Sequence, residues 1–393
     1  MTTTAIEIFG DCAPGFEPVK AAFERNFSEH GEVGGAVAVT IDGESKVDLW
    51  GGYADKARSR AWERDTIVNV YSTTKGMAAL CGHILADRGE LDFDAPVTKY
   101  WPEFGQAGKE KMPVRYLFSH QAGLPVIDKK LPPGASLDWD MMCAALAEQA
   151  PVWEPGTKQG YHTATFGFLV GEVVRRISGK SIGTFLRDEV TGPLNADFLI
   201  GFGPEQDFRV ADMLQAAPPA DMSDLPPIAQ AMVDPTSLTA RSFSIAPPKP
   251  GVDVNHREYR AAESPSGNGH GTARALARIY GALSRGGEVD GVRLLSAAAI
   301  ERARVEQVGG KDETLLMKTR RSLGYMLPVT EQGDVRGPES FGHAGMGGSL
   351  GYADPERKLG FGYVMNQMWT TTLSNPDPRA QGLVAAVHES LGR

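Results

Sequence analysis

Strand-like runs stand near both ends of this 393-residue chain, and most of what lies between them reads as helix. Near the start, Gly34–Ile41 and residues 44–51 flank Asp42-Gly43, a dipeptide suited to a two-residue hairpin turn. Near the end, residues 351–354 and 358–366 flank D-P-E-R, a second tight turn. Ahead of the first hairpin, Phe16, Val19, Phe23 and Phe27 recur at helical spacing and predict a helix over 14–29. A helix followed at once by an antiparallel hairpin argues against a doubly wound parallel sheet. The reading is an α/β fold: an antiparallel sheet flanked by helices, with a helical insertion domain. Residues 1–90 and 285–393 would form the sheet domain, and 91–284 the insertion.

Inside that frame, residues 73–87 have helical spacing, with Met77, Leu80, Cys81, Ile84 and Leu85 on one side. Residues 164–178 form a second amphipathic pattern that stops at Gly179, and 378–391 a last helix. Residues 203–260 carry A-P-P-A, L-P-P and A-P-P-K-P-G. A long irregular segment in a compact protein is usually functional or disordered, and it reads here as a loop wall or lid over a site.

Composition excludes several classes. The net charge is −9, with no basic patch of the kind nucleic acid requires. No apolar stretch approaches the ~20 residues that span a bilayer, so no membrane partner is expected. The three cysteines are few and far apart, which suggests neither a disulfide framework nor a zinc site. The first residues lack a basic run and an apolar run. The expectation is a cytoplasmic protein acting on a small molecule, without metal or organic cofactor; oligomeric state is not legible.

Residues 71–75 read Y-S-T-T-K. Ser72 and Lys75, three apart at a helix start, share one face. A serine hydroxyl is a weak nucleophile until a neighbour takes its proton, and lysine does so only when burial or nearby positive charge lowers its pKa. An N-cap with a solvated lysine is the alternative. This is the only S-x-x-K in the chain, and it lies between an apolar run and an apolar helix. Two further stretches fit acyl chemistry. Tyr161, in W-E-P-G-T-K-Q-G-Y-H-T, could shuttle a proton or serve as a core ring. F-G-H-A-G-M-G-G-S-L-G-Y could supply a backbone N–H to an oxyanion hole, or be a glycine-rich turn. Within it, G-G-S-L-G is formally a nucleophile elbow around Ser349, but it leads into a strand where the elbow needs a helix.

Together these motifs, with L-F-S-H-Q-A-G-L-P and A-D-P, resemble the serine β-lactamase and penicillin-binding-protein superfamily. The likeness is greatest to class C β-lactamase-like esterases, the family VIII carboxylesterases. It implies a β-lactamase/transpeptidase-like fold. It implies Ser72 as acylated nucleophile, Lys75 as its activator, Tyr161 as general base, and the amides of Ser72 and Met346 as oxyanion hole. Two positions depart from the class C pattern. Thr163 stands where asparagine would contact a β-lactam side chain, and His343-Ala344-Gly345 stands where K-T-G would attract its carboxylate. Histidine is mostly neutral at pH 7. The departures point to ester hydrolysis, with His343 bonded to Tyr161 or substrate. A β-lactamase, D-aminopeptidase or D,D-peptidase, and a non-catalytic acyl-binding module, remain as alternatives.

Overall fold

The computed structural model describes residues 6–216, 221–371 and 377–392. The A-P-P-A stretch at 217–220 lies outside them. The hairpin read from Asp42-Gly43 forms: strand Gly34–Ile41 pairs antiparallel with strand Glu44–Gly52. Both turn residues take positive φ, 50° and 85°, as a twist-matched hairpin turn requires. Strand Leu359–Met365 then docks along Gly34–Ile41, placing Val364 opposite Ala36. The two ends of the chain therefore meet at the centre of one sheet.

That sheet has nine antiparallel strands among the described residues. Its order runs Ile8–Cys12, Glu44–Gly52, Gly34–Ile41, Leu359–Met365, Leu350–Asp354, Phe341–Ala344, Met326–Leu327, Lys318–Arg321, Val308–Lys311. Every strand of it comes from 8–52 or 308–365. Helix Ala273–Ser284 packs across the central strands, and helices Glu17–Ser28 and Arg379–Leu391 pack on each other.

Helix Thr74–Asp87 differs from its reading. Every residue from Thr74 to Leu85 is buried, so the apolar stripe faces no solvent on its far side. The helix runs through the core and packs on Thr165–Ser178. Burying Met77, Leu80, Ile84 and Leu85 stabilises by about 1.5–3 kcal/mol each, and it carries Lys75 inside with them. Among its described residues, segment 203–260 is mostly irregular but holds the short α-helices Pro227–Val233 and Leu238–Phe243 and most of Arg257–Ala261. It is tied to the sheet where the Leu214 N–H donates to the Asn366 carbonyl (2.7 Å).

Candidate active site

Ser72 sits in a single 3₁₀ turn, Tyr71–Thr73, that opens helix Thr74–Asp87. Tyr71 takes φ 42°, a conformation that a bulky residue adopts only when its surroundings force it. The Asn69 side-chain oxygen accepts the Tyr71 N–H at 2.7 Å, and the Thr74 hydroxyl donates to the Tyr71 carbonyl at 2.5 Å. This bend leaves Ser72 half-buried while Lys75, one turn on, is fully buried.

The Lys75 amine is surrounded by three oxygens: Ser72 Oγ at 3.1 Å, the Thr163 carbonyl at 2.7 Å and the Ser266 carbonyl at 2.8 Å. Burial, helped by the positive charge of Arg321, holds its pKa well below the usual lysine range. A neutral amine has two hydrogens and one lone pair. Carbonyls only accept, so both hydrogens go to Thr163 and Ser266. The lone pair is then left for the Ser72 hydroxyl.

Tyr161 lies against the same amine, with Nζ 4.7 Å from its ring centroid. Its hydroxyl lies beside that of Ser72. Burial raises the phenol pKa, although Ser72 and Arg321 oppose the rise, so the group is a protonated phenol at neutral pH. Its backbone is clamped from behind. Asp312 Oδ1 accepts the N–H groups of Tyr161 (3.0 Å), Thr314 (2.9 Å) and Leu315 (2.8 Å). Arg321, paired with Asp312 at 2.8 Å, places its guanidinium 4.9 Å from the Tyr161 ring centroid. Asp312 stays ionised because Arg321 and those N–H groups outweigh the effect of burial.

The third motif closes on the nucleophile through its turn. Ser349 Oγ donates to the Val70 carbonyl at 2.8 Å and shares a hydrogen bond with the Thr73 hydroxyl at 3.1 Å. Gly345 fits because a Cβ there would lie 2.2 Å from that same Val70 oxygen. Met346 follows on the exposed tip of the turn. Among the described residues, neither the Ser72 nor the Met346 N–H donates to a backbone acceptor. Ser349 itself is 1% exposed and spends its hydroxyl on this contact, as expected of a structural serine.

His343 is buried on strand Phe341–Ala344, its ring centroid 6.0 Å from that of Tyr161. Its Nδ1 pairs with the Ala344 carbonyl at 2.7 Å, and Nε2 has no partner among the described residues. It therefore makes no bond to Tyr161. Burial above all, with the positive charges of Arg321 and Arg336, keeps the ring neutral. Thr163 turns its hydroxyl to Ser242 at 3.1 Å, on helix Leu238–Phe243 of the loop wall.

Sequence reasoning missed Ser266, Asp312 and Arg321. Ser266 acts through a carbonyl, which leaves no mark in a sequence. The G-N-G-H-G run beside it reads as a tight turn near the site, with no role for Ser266. The Arg321–Asp312 pair joins residues whose spacing resembles no motif.

The nine-stranded antiparallel sheet flanked by helices defines a serine hydrolase of the β-lactamase superfamily. A family model described as Beta-lactamase matches residues 20–386, and the chain belongs to that family. Among curated proteins it is 38% identical over 371 residues to "Esterase/beta-lactamase LipL" of Mycobacterium tuberculosis, covering 92% of this chain and 83% of the relative. Among solved structures it is similar to a family VIII carboxylesterase, with TM-score 0.88 and 42% identity over 98% of this chain and 100% of the other. It is also similar to a penicillin-binding protein homologue from Caulobacter crescentus, with TM-score 0.87 and 38% identity over 98% and 100% of the two chains. The resemblance read from the motifs is thus borne out. Among the described residues no helix is long and apolar enough to cross a membrane.

Proposed function

We propose that the protein is a carboxylesterase that hydrolyses short-chain esters through an acyl-serine intermediate. The observation that carries this reading is the Lys75 amine: buried, with two carbonyl oxygens at 2.7 and 2.8 Å and its third neighbour the Ser72 hydroxyl at 3.1 Å. Ser72 gives its proton to Lys75 and attacks the ester carbonyl. The amides of Ser72 and Met346, with Gly345 shaping the turn, hold the oxyanion. The proton passes from Lys75 through the Tyr161 phenol to the departing alcohol. Water then attacks the acyl carbonyl, its proton travels along the same path to Lys75, and Lys75 passes a proton to Ser72 Oγ as the acyl–oxygen bond breaks and the carboxylic acid leaves. The buried face of the site, within 91–284, supplies Tyr161 and Thr163, which fits a two-part architecture of sheet (1–90, 285–393) and helical insertion.

An ester is favoured over a β-lactam by the third motif. The position that would attract a carboxylate holds a neutral His343 whose Nδ1 is already bonded to Ala344. The similarity to LipL, which carries both activities in its name, keeps β-lactam hydrolysis as a second reading. Losing one charge-assisted hydrogen bond costs about 1.5–3 kcal/mol, so kcat/KM for p-nitrophenyl butyrate should exceed that for nitrocefin by about 10- to 10²-fold. The reverse order would make the enzyme a β-lactamase. Ser72→Ala should abolish ester turnover while the far-UV spectrum stays native. Substantial residual turnover would remove Ser72 from the mechanism.

A further inference from the structure

The two carbonyls that hold Lys75 come from segments distant in sequence, 88 and 191 residues away. Their relative position decides whether both hydrogens of the neutral amine are satisfied, and so where its lone pair points. One side chain joins the two segments directly. The Ser266 hydroxyl donates to the Ala164 carbonyl at 2.7 Å and accepts the Gly167 N–H at 2.6 Å. Ala164 directly follows Thr163, and Gly167 lies in the first turn of helix Thr165–Ser178, where backbone N–H groups lack intrahelical partners. The contact is close: a Cβ at Gly167 would lie 2.3 Å from Ser266 N.

The rest of the Ser266 loop is braced independently. Asn268 accepts the Ser264 N–H at 2.9 Å and donates to the carbonyls of Tyr259 (3.0 Å) and Ala262 (2.5 Å). The Thr74 hydroxyl accepts the Gly269 N–H at 2.9 Å. The loop therefore keeps its course without the Ser266 hydroxyl. What that hydroxyl adds is the spacing between the Thr163 and Ser266 carbonyls around Nζ.

We propose that Ser266 is a positioning residue for proton abstraction: its hydroxyl sets the carbonyl pair that aims the Lys75 lone pair at Ser72. This rests on the reading of Lys75 as the base. The charged and titratable groups around Nζ also include Arg321, Tyr161, His120, His162 and His343, and none of them changes in the test below.

The test compares wild type, Ser266→Ala and Ser266→Thr with p-nitrophenyl butyrate across pH. Ser266→Ala should lower kcat by up to about 10²-fold with little change in KM, the scale of a small misplacement of a reacting group. Its acidic limb of kcat/KM should move to higher pH, because a looser carbonyl pair admits water and eases the desolvation that depresses the amine. Ser266→Thr keeps the hydroxyl and should restore the limb to its wild-type position. Thermal melts check that the variants fold. A Ser266→Ala enzyme with an unshifted acidic limb overturns the proposal, whether or not its kcat falls. If instead Lys75→Met retains full activity, the base assignment itself fails.

Discussion

Lys75 and Lys109 are both fully buried, and each amine has three oxygens around it. For Lys109 all three are carbonyls: Gln106 at 2.9 Å, Ala147 at 2.9 Å and Gln149 at 2.6 Å. Three acceptors that cannot donate require three hydrogens, so Lys109 is held as an ammonium. Burial lowers its pKa only to about 8, against a small opposing effect of Glu110. Around Lys75 one carbonyl is replaced by a hydroxyl, which can donate as well as accept. That substitution, with Arg321 nearby, allows a neutral amine. The two sites show that burial alone does not make a lysine a base. What distinguishes them is whether the third neighbour has a proton to give.

Four experiments can break this contrast or sharpen it. The largest effect is on activity at Lys75. Lys75→Met should lower kcat/KM for a p-nitrophenyl ester by about 10²–10⁴-fold, the usual contribution of a general base, as read by initial rates. If its activity stays within a few-fold of wild type, the two lysines are alike.

Next is stability at Lys109. Lys109→Met strands the buried carbonyls of Ala147 and Gln149 and should cost about 2–4 kcal/mol in urea unfolding, while activity per folded molecule stays near wild type. Equal damage to activity would mean that Lys109 also supports catalysis.

The pH dependences should separate as well. The base works only when deprotonated, so kcat/KM should fall as pH drops through the depressed pKa of Lys75 and hold above it. Lys109→Met should leave that limb in place. For stability the sign is opposite in origin. The Lys109 pKa is about 8 folded and higher unfolded, so between those values the unfolded chain binds more protons. Wild type should therefore gain stability relative to Lys109→Met as pH rises above about 8, by urea unfolding at fixed ionic strength.

The smallest effect belongs to Ser349, whose hydroxyl joins the third motif to Val70 and Thr73. Ser349→Ala should retain kcat within about tenfold, because its two neutral hydrogen bonds brace the turn and do not touch the reacting groups. A loss of several orders of magnitude would revive the nucleophile-elbow reading.

The legible part of this molecule was local. Ser72 and Lys75 share one helical turn, so their spacing alone brings them together. The hairpin at Asp42-Gly43, the stop at Gly179 and the final strand pair also follow from neighbouring residues. The three motifs around Ser72, Tyr161 and Gly345 were readable as a set because their order resembles a family pattern. The rest depends on convergence. The Thr163 and Ser266 carbonyls have no side-chain signature. Arg321 matters because the sheet sets it behind Tyr161, with Asp312 as its partner. The Thr74–Asp87 helix reads as one-sided because its other face carries Gly76, Ala79 and Gly82, small residues that the core covers. His343 was expected to bond Tyr161 or substrate; its ring does lie beside Tyr161, but Nδ1 is given to the Ala344 carbonyl.

The amine of Lys75 can be observed directly. With lysine labelled by ¹³C at Cε, the two buried side chains can be assigned by loss of signal in Lys75→Met and Lys109→Met, then followed from pH 5 to 9. The Lys75 signal should report a neutral amine at pH 7 while that of Lys109 reports an ammonium. A Lys75 that remains charged at a pH where the enzyme is fully active would contradict the account.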